Sequence, residues 1–334
     1  MTKPLIKVRD LRKTFNFSKG SLFSKSIGQV VAVDDVNFDI NEGEILGCVG
    51  GSGSGKSTLG RAILRLIPSD KGSVTVDGVD LMTLSDEAFR RRRREMQIVF
   101  QDPLYSLNPR RTAAENIARP LLNFKFPRHE IEERVRELLK QVGLDPTHAN
   151  RYPHEFSGGQ CQRIGIARAL ALQPRFLFLD EPVSALDVSI QAQILNLLAD
   201  LQEKLNLTYL FVAHDLNIVK HFSHRILVLY HGRIVETGKS EDIYDNPKHP
   251  YTKTLLDSVL SIEGGDSWEK VSVETGTLAD NEDVESAFRA RESAQTGCIY
   301  AATCSERLEH CVRETPKFRE TSPGHEVACH LYEC

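Results

Sequence analysis

The hydrophobic positions change period along the chain, and the changes mark out alternating elements. Residues 5–8 read as a strand, Leu11 continues its apolar face, and Phe15 and Phe17 follow. Residues 19–28, rich in Gly, Ser and Lys, read as a surface loop; residues 30–40 return to strand material and close on the turn Asn41-Glu42-Gly43. The run Ile45, Leu46, Cys48 and Val49 predicts a buried strand, and residues 59–67 the helix after it. Asp77-Gly78, set between β-branched residues, predicts a two-residue hairpin. Residues 96–99 form an apolar strand that a nearby Pro103 stops. Pro120 and Pro127 interrupt the helical pattern beyond it. Residues 128–142 restore that pattern, with Ile131, Val135, Leu138, Leu139 and Val142 on one face and Glu133, Arg136 and Glu137 on the other. Further on, residues 164–171 and 190–205 read as helices, 176–179 and 209–212 as buried strands, and 226–235 as strands around the turn His231-Gly232. A helix through Leu255, Leu256 and Val259 follows Pro250. Strands alternating with helices predict an α/β fold with a β-rich lead-in.

Two of these junctions are rich in glycine. Gly50, Gly51, Ser52, Gly53, Ser54, Gly55, Lys56, Ser57 and Thr58 make a G-x-x-x-x-G-K-S pattern between the strand at 45–49 and the helix. A backbone largely free of Cβ atoms can curl so that successive N–H groups face phosphate oxygens, and the helix start adds its dipole. There Lys56 places a compact cation on β- and γ-phosphates, Ser57 offers a hydroxyl to Mg²⁺, and Thr58 offers one to the α-phosphate. Ser157-Gly158-Gly159-Gln160 stands before the helix at 164–171 and is a second anion-binding arrangement.

Strand ends supply the remaining chemistry. Gln101 follows the strand at 96–99, where its amide can reach a metal ion or an attacking water. Asp180-Glu181 ends the strand at 176–179, on the edge where α/β folds bind ligands. In that place Asp180 holds Mg²⁺ and Glu181 polarises water as general base. His214 ends the next strand and is placed for a γ-phosphate contact, while the ring of Phe15 can stack on a nucleotide base.

Composition narrows the partners. At 334 residues and 37.5 kDa the chain can bury a sizeable core and carry more than one domain. A formal charge of −4 and a pI near 6.3 argue against nucleic-acid binding by bulk electrostatics. The run Arg90 to Arg94 has Asp86, Glu87 and Glu95 around it and reads as a solvated face. No run of about 18 apolar residues exists, and the N-terminus has no apolar core of signal-peptide length, so a cytosolic location is expected. In that compartment the seven cysteines are expected to be free of disulfides.

Taken in this order, the residues resemble the nucleotide-binding subunit of an ABC transporter over roughly residues 5 to 260. The resemblance implies a P-loop NTPase cassette: a β-rich N-terminal subdomain, a helical subdomain at about 103–170, a linker at 261–297 and a small Cys-containing extension at 298–334. By it Gly50 to Thr58 is the Walker A loop, Gln101 the Q-loop, Ser157 to Gln160 the signature motif, and Asp180 the Walker B aspartate. Glu181 is the catalytic base, Asp187 the D-loop, His214 the switch histidine and Phe15 the adenine-stacking aromatic. ATP and Mg²⁺ are the implied cofactors. The implied partners are a second ATPase subunit, identical or paralogous, whose Walker A loop faces this signature motif, two transmembrane permease subunits and an extracytoplasmic solute-binding protein. The implied location is peripheral, on the cytoplasmic face of the inner membrane.

Gly51 stands where relatives often carry Glu, and Cys161 where Arg is common. Pro247-Lys248-His249-Pro250-Tyr251-Thr252 looks like the His-Pro-Tyr segment of the oligopeptide and dipeptide import ATPases, whose relatives also serve nickel and opine uptake. A DNA-repair ATPase with a signature motif is a rival, but the spacing leaves no room for its long insertions. Cys298, Cys304, Cys311 and Cys329 gather near the chain end and favour a metal site. The set resembles the cysteines that bind a [4Fe-4S] cluster in some peptide-import ATPases; zinc and unliganded thiols are the other readings these residues leave open.

Overall fold

The computed structural model describes residues 3–18, 27–263 and 296–333. The loop expected at 19–28 and the linker expected at 261–297 lie almost wholly outside the described residues, as does Cys334. Strands β1 (Pro4–Ser18) and β2 (Ile27–Asn41) lead through the Asn41 turn, closed by Glu44 N–H on Asn41 O at 3.1 Å, into β3 (Ile45–Val49). Helix α1 (Lys56–Ile63), β4 (Lys71–Val76) and β5 (Val79–Asp80) follow. Asp77 and Gly78 both sit at positive φ, 49° and 78°, the geometry an Asp-Gly hairpin turn needs. Next come α2 (Asp86–Arg92), β6 (Met96–Val99), α3 (Pro103–Ser106), α4 (Ala113–Asn123), α5 (Arg128–Gln141) and α6 (Gly158–Leu170). Then β7 (Phe176–Asp180), α7 (Val188–Leu205), β8 (Thr208–Val212), α8 (Leu216–Phe222), β9 (Arg225–Tyr230) and β10 (Arg233–Lys239). Helices α9 (Ser240–Asp245) and α10 (Pro250–Glu263) precede the hairpin of β11 (Phe318–Ser322) and β12 (His325–Ala328).

The described residues divide into two compact units, one drawn from Met1–Ile6, Ile40–Ile45 and Val76–Ala213, the other from Lys7–Asp39, Leu46–Thr75 and His214–Cys334. In the first, β6, β7 and β8 are parallel neighbours, with Met96 opposite Phe176 and Phe176 opposite Thr208. Every residue of β7 and β8 is buried, which explains why both read as continuous apolar runs instead of alternating ones. Tyr209 is tolerated there because its hydroxyl donates to Leu198 O at 3.0 Å. Helix α6 packs on α3, α4 and α5, burying Ile117, Leu121, Val135, Leu138 and Ile164 between them.

Two expectations need correction in this unit. Pro120 does not break the pattern; it lies inside α4, whose N-terminus is fixed by a Thr112–Glu115 capping box and whose buried Ala113, Ile117, Ala118 and Leu121 anchor it. Losing one N–H donor is outweighed there by packing. Helix α6 begins at Gly158, six residues ahead of the expected 164, because Ser157 Oγ accepts the Gln160 N–H (3.3 Å) while Gln160 Oε1 accepts that of Ser157 (3.0 Å). Residues 128–141 are helical as expected. The arginine run is a solvated face, with Arg91 on Glu87 at 2.6 Å, Arg92 on Glu95 at 2.8 Å and Arg93 over the Phe89 ring.

In the second unit, β2, β1 and β4 lie side by side. A separate set places β3 parallel to β9, with Cys48 opposite Leu227, and continues antiparallel through β10 and β12 to β11. A bulge between Ile234 and Glu236 turns the Glu236 carboxylate into the interior, where it is fully buried. Glu236 Oε1 accepts Lys248 N–H (2.7 Å) and pairs with His325 Nε2 (2.7 Å), and Oε2 accepts His249 N–H (2.9 Å). One buried carboxylate thus joins β10, the segment before α10 and the C-terminal hairpin. Removing it would strand three donors, a change that typically costs about 3–5 kcal/mol.

Candidate functional site

The second unit carries the glycine loop. Val49 ends the buried β3 strand and α1 starts directly at Lys56, three residues earlier than expected, so the N–H groups of its first turn face out of the helix start. Gly55, its N-cap, has φ +105°, and a Cβ there would stand 2.1 Å from Ala32 O. No other residue fits that bend. Lys56 is buried, and its ammonium reaches back across the loop to donate to Gly50 O (2.8 Å) and Gly51 O (2.9 Å). Inside the same loop Ser54 Oγ is buried with no hydrogen-bond partner among the described residues. A concave backbone, a held cation and an orphaned hydroxyl fit a phosphate chain. Ser57 and Thr58 follow on α1, as the spacing requires.

Phe15 lies on β1, half-buried, with Lys13 Nζ 5.2 Å from its ring centre. His214 is exposed just ahead of α8, whose cap is the Asp215 carboxylate accepting Asn217 N–H at 2.8 Å.

The first unit carries the carboxylates. Asp180 is the buried last residue of β7. Glu181 comes directly after, with φ +48°, a left-handed backbone that is costly for a residue with a Cβ. Two bonds hold this bend: Glu181 N–H donates to Val212 O (3.0 Å) and Ser184 Oγ donates to Glu181 O (3.1 Å). Sequence reasoning found Glu181 but not its strain, nor Ser184. Gln101, exposed beyond β6, donates from Nε2 to Glu181 Oε2 at 3.1 Å, so two of the expected groups do meet. Ser157 and Gln160 cap α6 as described, and Gly158 and Gly159 open that helix. A Cβ on Gly159 would stand 2.5 Å from Ile190 Cγ2, so glycine there lets α7 approach. Asp187 is the N-cap residue of α7 and makes no side-chain cap bond.

The C-terminal residues bring the four cysteines near one another. Cys298 N–H donates to Cys311 O (2.7 Å), and Ala301 N–H and Cys304 N–H close the turn between Cys298 and Cys304. Burial, with the neighbouring thiols adding, raises the pKa of Cys298 and Cys304 and pushes Cys329 up to about 11. The four thiols are near enough to influence one another's ionisation, with the Glu306 carboxylate also acting on Cys304. Among the described residues no three of them bring their sulfurs within 4.8 Å of one another, the convergence one zinc ion needs, while soft thiolate donors suit the wider span of an iron–sulfur cluster. His310, His330 and Glu333 do converge within 4.8 Å. They read as an ion pair instead of a metal site, since His330 Nε2 donates to Glu314 O (2.7 Å) while Nδ1 faces Glu333 (2.6 Å). Burial opposes the imidazolium, but those two partners raise its pKa overall. Cys48 and Cys161 are small packed core residues, as expected.

Residues 33–184 match the family described as ABC transporter, and residues 235–311 the one described as oligopeptide/dipeptide transporter, C-terminal region. The chain is similar to the oligopeptide transport ATP-binding protein AppF of Bacillus subtilis, 46% identical over 331 residues that cover 98% of this chain and 97% of that one. Among solved structures it resembles cbiO1 of Clostridium perfringens, part of the cbiONQ ABC transporter complex, with TM-score 0.63 and 29% identity over 73% of this chain and 91% of that one. It also resembles the ATP-binding cassette MJ0796, solved as a dimer in a post-hydrolysis state with ADP and Pi, at TM-score 0.61 and 35% identity over 70% of this chain and 98% of that one. Among the described residues no helix is long and apolar enough to cross a membrane.

Proposed function

The chain belongs to the ABC transporter family, in its oligopeptide and dipeptide branch, and from that premise we propose that it hydrolyses Mg-ATP to energise peptide import through separate membrane subunits. The observation that carries the reading is the glycine loop with the Lys56 ammonium held inside it. Backbone N–H groups of the loop other than that of Gly51 serve the phosphates, Lys56 supplies their countercharge, Ser57 offers its hydroxyl to Mg²⁺, and the family resemblance gives Asp180 a Mg²⁺-holding role as well. Bound Mg²⁺ supplies electrostatic stabilisation of the transferring phosphoryl group. Glu181 takes the proton of the attacking water, Gln101 orients its carboxylate, His214 contacts the γ-phosphate and Phe15 stacks on adenine. Ser157 to Gln160 and Asp187 serve the nucleotide held by a second ATPase chain. The complex also contains two permease subunits and an extracytoplasmic solute-binding protein, with this chain on the cytoplasmic face of the membrane.

The permease contact is placed at the segment following Gln101. Phe100, Leu104 and Tyr105 expose 37, 51 and 92% of their surface within six residues, beside an open groove that runs from Tyr105 to Arg110. So dense a set of exposed large apolar side chains fits a partner surface. Leu104→Asp with Tyr105→Ala is expected to lower peptide uptake at least about 30-fold, the effect of losing one interface hot spot. ATP hydrolysis by the isolated chain should stay within about twofold. Uptake at the normal rate would remove this placement.

For the thiols the proposal is a [4Fe-4S] cluster held by Cys298, Cys304, Cys311 and Cys329, supported by the family resemblance and by their proximity. Such a cluster supplies one-electron redox chemistry and a cross-link among these turns. Anaerobically purified protein is expected to carry about four irons and four sulfides per chain. Stoichiometric zinc without sulfide, or no metal, would overturn this.

A further inference from the structure

The His-Pro-Tyr segment takes no part in the chemistry above, yet it touches the phosphate loop. Tyr251 is buried at the start of α10, and its hydroxyl accepts the N–H of Gly51 at 2.7 Å. That N–H belongs to the same peptide group as Gly50 O, the atom that accepts from Lys56 Nζ at 2.8 Å. In a trans peptide the two atoms point in opposite directions. Lys56 and Tyr251 therefore grip one peptide plane from its two sides, at the point where β3 gives way to the loop.

Tyr251 is itself held from three directions. Its N–H donates to His249 Nδ1 (3.1 Å), and the His249 N–H donates in turn to the buried Glu236. Burial, with Lys253 adding, lowers the His249 pKa to about 4, so that nitrogen stays an acceptor at neutral pH. The Tyr251 ring packs on Tyr230, with centres 4.4 Å apart, and on Tyr300, 5.5 Å apart. Tyr300 stands in the turn between Cys298 and Cys304, where its carbonyl accepts the Cys304 N–H at 3.0 Å. Its hydroxyl also lies 3.3 Å from Thr254 Oγ1 on α10. A continuous chain of contacts thus runs from the cysteine turn through Tyr300 and Tyr251 to Gly51.

We propose that Tyr251 is a positioning residue for the phosphate loop, holding the Gly50–Gly51 peptide plane against Lys56, and that Tyr300 sets where Tyr251 stands, so that the cysteine turn influences ATP affinity. The inference rests on the ATP-site reading above. A phenylalanine in place of Tyr251 keeps the ring packing and removes only the acceptor, leaving the plane free to turn and Lys56 less well placed for phosphate. One neutral hydrogen bond lost from a preorganised loop corresponds to an affinity change of up to about tenfold.

The test is calorimetric titration of the full-length chain with Mg-ATP, alongside its melting temperature and steady-state hydrolysis. Tyr251→Phe should bind ATP about tenfold more weakly and raise KM in proportion, with kcat and melting temperature little changed. Tyr300→Leu should weaken binding by itself but add nothing on the Tyr251→Phe background, since it acts through that hydroxyl. If Tyr251→Phe folds poorly, Gly51→Ala probes the same bond, because its Cβ would crowd the Tyr251 hydroxyl at 3.3 Å and should weaken binding too. Unchanged affinity in Tyr251→Phe, or in Gly51→Ala where that variant stands in, overturns the positioning role. Fully additive effects of the two tyrosine changes overturn the link to the cysteine turn. A wild-type chain that binds no ATP would sink the proposed function itself, a distinguishable failure.

Discussion

Replacing Glu181 by glutamine is expected to lower steady-state phosphate release about 10²- to 10⁴-fold, the usual span for removing a general base, while Mg-ATP binding stays within a few-fold. The reason lies in how little else changes. The amide oxygen of the substituted side chain can still accept from Gln101 Nε2, which in the native chain stands 3.1 Å from Glu181 Oε2. The left-handed bend at this position depends on main-chain bonds to Val212 and on Ser184, none of which involves the carboxylate. What disappears is the negative charge and, with it, the basicity. ATP that binds but is not cleaved should also hold two ATPase chains together, so the variant is expected to run as a dimer on size exclusion with Mg-ATP. Phosphate release at the native rate would remove Glu181 as the base.

The second large effect concerns Lys56. Its ammonium makes two bonds to loop carbonyls from a buried position, so Lys56→Ala removes both the phosphate countercharge and an internal brace of the loop. Hydrogen bonds to charged groups contribute about 1.5–3 kcal/mol each, so ATP affinity is expected to fall at least about 100-fold, with hydrolysis lost at ordinary ATP concentrations. Calorimetry reads the first and phosphate release the second. Binding within threefold of native would mean that the nucleotide does not sit in this loop.

The features legible in the sequence are those in which local chemistry and position agree. The glycine loop reads directly because its strand, its bend and its lysine occupy consecutive residues, and the same holds for the Asp77-Gly78 turn and the amphipathic face of α5. Legibility fails where a side chain answers to something distant. Pro120 argues locally for a break, and only the buried face of α4 shows why the helix continues. The β11–β12 hairpin carries no such local signal: Phe318–Ser322 is short, mostly exposed and polar, and it becomes a strand through the edge offered by β12, which is itself paired to β10. Glu236 looks like any strand carboxylate until a bulge turns it inward onto His325 and residues 248–249. The Tyr251–Gly51 bond joins residues 200 apart, a separation across which no local pattern speaks. The strain at Glu181 is likewise invisible in Asp-Glu-Pro, which would read the same in a relaxed turn.

The central claim is that this chain turns ATP hydrolysis into peptide uptake, and it is tested most directly by following a radiolabelled tripeptide into cells that lack only this chain. Reintroducing the native chain is expected to restore uptake, and the same cells given the Glu181→Gln form should take up no more than the deletion strain. Equal uptake with and without the chain, or full restoration by the substituted form, would contradict it.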